Sequence, residues 1–167
     1  MAYDAREVAN YILDEADQTG IEITNLKLLK LIFFAHGFHL AQFDQPLIGE
    51  EFQAWQYGPV AQSVYYAFKH SGAAPIRSRA TAINLENGKH ETIQPSLDGD
   101  TKSFLKIILQ SYANYAAFTL SDLTHQKGTP WEAVWNSFES KARTGMRISN
   151  PEIRRFFKER LALEARH

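Results

Sequence analysis

Two histidines on one predicted helical face are the first residues that could do chemistry. His36 and His39 lie three residues apart in an apolar stretch, so a helix would direct both imidazoles to the same side. Two such rings can start a zinc site, which takes three or four ligands with supporting hydrogen bonds. No acidic residue lies within a turn on that face, because Asp44 comes after the expected helix end. We therefore predict no metal site, and we interpret both rings as polar edges of a mainly apolar helix.

Three residues near the middle of the chain have the side-chain types of a nucleophilic triad. Ser121, Asp122 and His125 are close in sequence, but closeness does not produce triad geometry, and no strand-turn-helix nucleophile elbow is present. The chain also lacks both common glycine-rich phosphate-binding motifs. We expect cap and turn residues here, and we predict no catalytic residue, no cofactor and no enzymatic activity. A hydrolase that uses His125 is kept only as an alternative.

The last predicted helix carries a cluster of cations that could contact phosphates. Arg154, Arg155, Lys158 and Arg160 lie within seven residues, yet the formal net charge of the chain is -1. Binding driven by counterion release needs many unpaired cations, and no helix-turn-helix or RNA-binding signature accompanies these. The sequence therefore does not favour a nucleic-acid partner, and a regulator that uses this basic helix remains an alternative.

The stretch FQAWQYGPV, residues 52–60, combines large aromatic side chains with two chain breakers. Trp55 and Tyr57 precede Gly58 and Pro59. We expect Gly58 and Pro59 to turn the chain from a strand into a helix, with Pro59 in the first helical turn, where its missing N–H would be unpaired anyway. The pattern thus predicts a rigid strand-to-helix corner with aromatic side chains around it.

A second corner occurs where Pro130 and Trp131 begin another predicted helix. We expect Trp55 and Trp131 to pack the two corners against each other. A further interpretation stays open, in which the shared rim contacts another protein, since aromatic residues often anchor interfaces. That rim would present Tyr57, His125 and Lys27 or Lys30.

Capping signals delimit the helices that would position these residues. Asp4 can begin a first helix that ends at Gly20, with Glu7 completing a capping box. Thr24 can begin a second helix that runs to about Phe43 and is apolar on most sides. Such a helix is normally buried at the centre of a domain.

The remaining pattern predicts further helices and one hairpin. We therefore expect an α+β fold that is mainly α, with one small β-hairpin or a short antiparallel sheet. The predicted elements are a helix over 60–69, a hairpin over 81–94 around Asn87-Gly88, a helix over 100–115, a short helix capped by Thr119, one begun by Thr129 and Pro130, and a last one begun by Ser149.

Length and composition are those of a single globular domain. The chain has 167 residues, 44% hydrophobic and 22% charged, and no cysteine, which excludes disulfides and thiolate chemistry. No secretory signal and no membrane-spanning stretch is visible. We expect one domain over residues 1–167, located in the cytoplasm, with no membrane partner.

Three motifs, taken together in order and spacing, resemble the Panacea domain of SocA-like antitoxins, a family that also includes phage-associated GepA-like proteins. The first is TNLKLLKLIFFAHGFHLA over 24–41, the second PLIGEEFQAWQYGPV over 46–60, and the third LSDLTHQKGTPW over 120–131. The resemblance covers a core of about residues 24–131, with helices flanking it on both sides.

The resemblance implies an antitoxin that binds a cognate protein toxin and does no catalysis. Occlusion of the toxin by direct contact is the expected mechanism. Delivery of the toxin to the ClpXP protease, the role understood for the SocA member, is the second. A phage-associated interaction module without a toxin would share the same features, so it remains an alternative. The identity of the toxin and the oligomeric state are left open.

Residues of the three motifs are the candidate partner-binding positions. Whether they form the interface or only hold the fold is also left open. They are Lys27, Lys30, Trp55, Tyr57, Gly58, Pro59, Thr124, His125, Pro130 and Trp131.

Overall fold

The computed structural model describes residues 2–137 and 146–165. Helices dominate these residues, and the strands are only three or four residues long. The elements are α1 (Ala5–Thr19), α2 (Asn25–Phe43), β1 (Phe52–Trp55), β2 (Gly58–Val60), α3 (Gln62–Phe68), β3 (Thr81–Ile83), β4 (His90–Thr92), α4 (Gly99–Tyr112), α5 (Ala117–His125), α6 (Pro130–Asn136), β5 (Met146–Ile148) and α7 (Asn150–Glu164).

Helix α2 is covered on all sides by the rest of the molecule. Every residue from Lys27 to Phe38 is buried, and α1, α4, α5, α7 and β2 all pack against this helix. The hydroxyl of Thr24 accepts the N–H of Lys27 at its start, and Asp44 ends it in a left-handed conformation with φ 57°. The predicted bounds and burial are confirmed. Even so, no helix in the described residues is long and apolar enough to cross a membrane.

Helix α1 begins and ends at the predicted residues, but its capping box does not form. The carboxylate of Asp4 accepts the N–H of Arg6, and Gly20 ends the helix with φ 72°. Glu7 does not reach back to the cap. Its carboxylate accepts the N–H and the hydroxyl of Ser96, at 2.5 and 2.6 Å. A local pattern could not reveal this competing donor, which lies far along the chain.

A three-stranded antiparallel sheet with the order β2-β1-β5 corrects the predicted corner. The chain reverses at Gln56 and Tyr57, and Gly58 and Pro59 lie in strand β2, opposite Trp55 and Ala54. The prediction that Gly58 and Pro59 turn the chain into a helix is therefore wrong. Strand β2 is an edge strand, where proline is tolerated because no ladder N–H is needed on its open side.

The second sheet is the predicted hairpin, which is confirmed. Strands β3 and β4 pair antiparallel and are joined by residues 84–89, a longer turn than two residues. The buried amide of Asn10 in α1 fastens its base. Asn10 donates to the carbonyls of Ala80 and Ile93 at 3.1 and 2.8 Å and accepts the N–H of Ala80 at 2.8 Å. The fold is therefore α+β and mainly helical, as expected, with strands too short for the pattern to reveal them all.

Of the helix starts predicted at Thr119, Thr129 and Ser149, the last two are confirmed. The hydroxyls of Thr129 and Ser149 accept the N–H groups three residues on, which begins α6 and α7 as predicted. Helix α5 begins two residues before the predicted cap. Ala116 occupies its cap position without a side-chain hydrogen bond, and Thr119 lies in the first turn. Burial of Leu120 against the core stabilises this short helix in place of a cap.

Helix α7 packs against α2 through an aromatic ring that occupies the space beside a glycine. The Phe157 ring lies edge-on to Phe38, with ring centres 4.8 Å apart, and directly over Gly37. A Cβ atom at Gly37 would lie 2.1 Å from that ring. The glycine therefore sets how closely the two helices approach.

We expect Gly37→Ala to destabilise the fold by about 1–3 kcal/mol, because the new methyl group must displace the buried Phe157 ring. Urea unfolding measures the change. Gly99→Ala is the matched control, because a Cβ at Gly99 meets nothing within 4 Å. Equal stability of the Gly37→Ala and Gly99→Ala variants would show that the α2–α7 contact is not tight.

Candidate functional site

Side chains from three helices hold the turn between β1 and β2. Four backbone carbonyls at the turn each lie within hydrogen-bond distance of a side-chain nitrogen or oxygen from elsewhere in the chain, and we call these four side chains the turn clamp. The pairs are Trp55 O with Trp131 Nε1 at 2.7 Å, Gln56 O with His125 Nε2 at 2.9 Å, Tyr57 O with Ser121 Oγ at 2.7 Å and Pro59 O with Lys30 Nζ at 2.9 Å.

Gly58 lies where no larger residue fits. Its φ of 113° disfavours side chains, and a Cβ there would lie 2.6 Å from Thr124 Oγ1 and 2.9 Å from Lys30 Nζ. Thr124 is buried, and its hydroxyl donates to Ser121 O at 2.6 Å. The turn can therefore sit against α2 and α5 only because position 58 lacks a side chain.

Lys30 has no exposed surface, although lysine is almost never fully buried. Burial lowers the pKa of its amine from 10.5 to about 7. Within the described residues its Nζ forms no ion pair, and its hydrogen bond is to the carbonyl of Pro59. The amine thus links the centre of α2 to strand β2.

Lys27, one turn earlier, makes a similar contact. It is buried, and its Nζ donates to Ala113 O at 2.7 Å, just beyond the last turn of α4. A cation at that end of a helix faces the negative end of the helix dipole. Burial lowers the pKa of Lys27 as well. Both lysines that were candidates for the partner-binding rim therefore donate to backbone carbonyls.

His36 links three parts of the fold. Its Nδ1 accepts the N–H of Ile48 at 3.3 Å, and its Nε2 lies 2.9 Å from Asn150 Oδ1. Burial lowers the pKa of His36 from 6.5 to about 4, against the opposing effect of Asn150 and with a smaller contribution from His39. The ring is therefore neutral at pH 7. No group of three or more metal-ligand side chains is found in residues 2–137 and 146–165.

The Ser121 and His125 pair is engaged in the turn clamp. The Ser121 hydroxyl donates to Tyr57 O, and its Oγ lies 3.5 Å from His125 Nδ1. Both His125 ring nitrogens face carbonyl oxygens, those of Gln56 and Ser121. Asp122 is exposed. These contacts position backbone and do not assemble a nucleophile with its base.

An apolar groove opens beside the turn clamp. It has a volume of about 560 Å³ and lies between the first turns of α2, the β1–β2 turn, α3 and the start of α5. Trp55 packs edge-on to Tyr65, with ring centres 4.8 Å apart, and donates its Nε1 to Gln53 Oε1. The apolar and aromatic side chains that line it are Leu26, Leu29, Trp55, Tyr57, Val60, Tyr65, Ala73 and Phe118.

Most of the ten candidate partner-binding residues are inside the molecule. Tyr57 is 57% exposed, and Trp55 and His125 are partly exposed. The structure brings the turn residues, α5 and α6 together, and it places Lys27 apart from them at the end of α4. The seven buried residues are Lys27, Lys30, Gly58, Pro59, Thr124, Pro130 and Trp131.

The sequence reasoning missed Ser121 as a clamp residue and Phe118 as a groove residue. Ser121 lies within the third motif, and it was interpreted as a cap or turn residue after a triad was rejected. Phe118 is 70% exposed at the start of α5, and no periodic pattern indicates that a phenylalanine faces solvent.

The cations of α7 are close to carboxylates, which reduces the positive charge available for phosphates. Their pairs are with residues of α7 itself and with Asp44 after α2, so the four cations of α7 named above do not form an unpaired stripe of the kind that binds nucleic acid. The pairs are Arg154–Asp44 at 2.5 Å, Lys158–Asp44 at 3.2 Å, Arg155–Glu152 at 2.6 Å and Arg160–Glu164 at 3.7 Å.

Comparison with known proteins gives one consistent result. Residues 28–132 match the family model of the antitoxin SocA-like Panacea domain. The chain is 35% identical over 155 residues to antitoxin SocA of Caulobacter vibrioides, an alignment that covers 93% of this chain and 82% of that protein. No solved structure matches the chain significantly.

Substitutions at Trp131 measure how much the turn clamp contributes to the unfolding free energy. We expect Trp131→Ala to cost about 3–5 kcal/mol, because the ring is buried, and Trp131→Phe about 1–2 kcal/mol, because it mainly removes the bond to Trp55 O. Denaturant unfolding measures both changes. Phe118→Ala, at an exposed ring, should change stability by less than about 0.5 kcal/mol. The clamp would not stabilise the fold if Trp131→Ala behaved like Phe118→Ala.

His36 should make the fold acid-sensitive. Its pKa is about 4 folded and 6.5 unfolded, so only the unfolded state takes up the proton between these values. We expect the unfolding free energy to fall by about 2 kcal/mol from pH 7 to pH 5 through this group. His39→Asn should keep this loss and His36→Asn should reduce it. An NMR titration in which the His36 ring protonates near pH 6.5 would contradict the prediction.

Proposed function

Because this chain belongs to the antitoxin SocA-like Panacea domain family, we propose that it neutralises a cognate protein toxin by direct contact, in the cytoplasm and without catalysis. The observation that carries the proposal is an exposed aromatic side chain on a turn that is held at four carbonyls. Tyr57 projects from this turn with 57% of its surface exposed.

A fixed turn favours binding because little freedom remains to be lost when a partner docks. Tyrosine is among the residues that most often dominate interface energies, and it loses few rotamers on binding. Trp55 and His125 lie partly exposed beside it. The three side chains thus form a rigid aromatic surface, and the buried motif residues beneath it keep the turn in place.

Occlusion is the mechanism that we propose. A stable and specific complex buries roughly 1,200–2,000 Å² in total, which would extend well beyond the turn. In the second mechanism, which the family resemblance implies, the protein delivers its toxin to ClpXP. The half-life of the toxin in cells with and without ClpXP separates the two mechanisms, since occlusion leaves that half-life unchanged.

The direct test is co-expression with the product of the adjacent reading frame. We expect that product to stop growth alone, to be harmless with this protein, and to co-purify with it. A neighbour that is not toxic would contradict the antitoxin role and would favour an interaction module without a toxin.

Within that complex, we expect Tyr57→Ala to weaken toxin binding at least tenfold while leaving the melting temperature nearly unchanged, because the side chain is mostly exposed. Isothermal titration measures the affinity. Phe43→Ala is the matched control, since Phe43 is 52% exposed at the opposite end of α2, roughly 25 Å from the groove by helical rise. Equal affinity of both variants would exclude the turn from the interface.

A further inference from the structure

We propose that the open edge of strand β3 binds an extended segment of the toxin, which joins the β3–β4 hairpin as a third strand. This inference rests on the proposed function, because it names the part of the antitoxin that receives the toxin and the form in which the toxin segment binds. Backbone hydrogen bonds to Thr81 and Ile83 would hold the added strand.

The register of the hairpin determines which backbone groups of β3 point outward. The N–H of Asn84 donates to Lys89 O at 2.8 Å, so these two residues form a hydrogen-bonded pair. Bonded and non-bonded pairs alternate along an antiparallel ladder, so Ile83 and Thr81 belong to non-bonded pairs. Their N–H and C=O groups therefore point away from β4. Among the described residues, no hydrogen bond to these groups is found.

Strand β3 lacks the features that usually protect an open edge. Soluble proteins block such edges with charged side chains, proline, bulges or a covering element. Residues 81–83 carry no charge and no proline, Ile83 is 56% exposed, and Leu85 just beyond it is 97% exposed. The other edge differs, because Glu91 in β4 and Lys89 before it are charged. Of the two edges, β3 is therefore the one suited to pairing.

A polar cleft lies beside this open edge. It has a volume of about 440 Å³, with Thr81 on one wall and Ser63 and Tyr66 of α3 on the other. No residue of β4 lines the cleft, so it lies on the open side of β3. Peptide-binding domains that accept an added strand combine these two features, since the edge binds the main chain and neighbouring pockets receive side chains.

The charges around the cleft do not favour a small anion as its occupant. Arg6 pairs with Asp4 at 2.8 Å, and Arg79 pairs with Asp14 and Asp17 at 2.8 and 2.5 Å. A phosphate or a free carboxylate would compete with these carboxylates for the two guanidinium groups. An uncharged main chain that pairs with the backbone of β3 has no such competitor.

A second copy of this chain is the alternative occupant of the edge. Two copies that paired through β3 would each bring α3 to the same side, because α3 forms the far wall of the cleft. An added strand lies only about 4.8 Å from its neighbour. A single extended segment with no flanking helix therefore fits between β3 and α3 better than a second copy does.

The side chains of β3 indicate which residues the added strand carries. Thr81 and Ile83 lie on one face, because side chains two residues apart share a face of a strand. Exposed Ile83 favours a β-branched or aromatic neighbour, and Thr81 favours a residue that can hydrogen-bond to its hydroxyl. We therefore expect a toxin segment with Val, Ile or an aromatic residue and, two positions away, Ser, Thr or Asn.

The test uses a display library of random heptapeptides, each flanked on both sides by Gly/Ser linkers. The library is selected on the whole protein and counter-selected on the Ile83→Pro variant, which lacks one outward N–H. We expect the enriched peptides to carry the two residue types named above, two positions apart. A library that enriches no peptide of this pattern would overturn the proposal.

A pair of proline variants compares the two edges of the hairpin. Ile83→Pro should weaken binding of an enriched peptide at least tenfold, because proline removes an N–H that points outward and leaves the ladder intact. His90→Pro is the matched control, since His90 lies directly opposite Ile83 and belongs to the same non-bonded pair. Thermal unfolding checks that both variants fold. Equal binding by both variants would overturn the assignment to β3.

Modified peptides and amide exchange give a readout that needs no protein variant. N-methylation of successive peptide residues should abolish binding at alternate positions, because every second N–H of an added strand faces β3. NMR should show the amides of Thr81 and Ile83 exchanging at least tenfold more slowly in the peptide complex, with those of His90 and Thr92 unchanged. Unchanged exchange in β3 would overturn the proposal. So would slower exchange in the free protein as its concentration rises, which would assign the edge to a second copy.

These outcomes are distinguishable from those of the toxin experiment. Peptides that protect the β3 amides, alongside a neighbour that is not toxic, would contradict the antitoxin role and leave β3 as a strand-binding edge. A toxin that co-purifies with the protein, while the amides of Thr81 and Ile83 exchange as in the free protein, would leave the antitoxin role and overturn the assignment to β3.

Discussion

The contact between Lys30 and the carbonyl of Pro59 is the constraint on which the rest of the site depends. An amine with no exposed surface has been brought to the centre of the fold, where burial lowers its pKa to about 7. Desolvation of the amine opposes folding, and one hydrogen bond at 2.9 Å compensates only part of that cost. The position of Lys30 also explains Gly58, because a side chain there would meet the amine. This interaction thus favours glycine at position 58.

Three further side chains of the turn clamp hold the turn between β1 and β2. Ser121, His125 and Trp131 come from α5 and α6, and each contacts a different carbonyl of one turn: Ser121 and Trp131 donate, and His125 Nε2 lies 2.9 Å from Gln56 O. Such carbonyls would otherwise remain exposed to water or unpaired. Because the motif residues satisfy the backbone inside the molecule, the outer surface of the turn can differ in chemistry from that of relatives. This division suits a family that must hold one fold while recognising a partner.

The sequence predicted the parts of the fold that depend on local interactions. Thr24 and Asp44 bound α2 as capping rules and the apolar pattern indicated, and the start of α6 at Thr129 was equally clear. The strand-to-helix corner predicted at Pro59 was wrong, because residues 58–60 form a strand that pairs with β1, a position that a Gly-Pro pair does not indicate. The third strand of this sheet, residues 146–148, lies far along the chain. Pairing over that separation leaves no local signal, and neither does the burial of Lys30. The sequence therefore indicated several residues around the turn, but it missed Ser121 and Phe118 and could not show which side chains face solvent.

The hydrogen bonds at the base of the β3–β4 hairpin leave its tip open to insertion. One buried amide, Asn10, holds the chain at Ala80 and Ile93, while Leu85 at the other end of the hairpin is 97% exposed. Loop tips anchored at their base tolerate insertion, because added residues leave the buried hydrogen bonds intact. A fluorophore, an affinity tag or a longer loop can therefore be placed at residues 85–88 without touching the core.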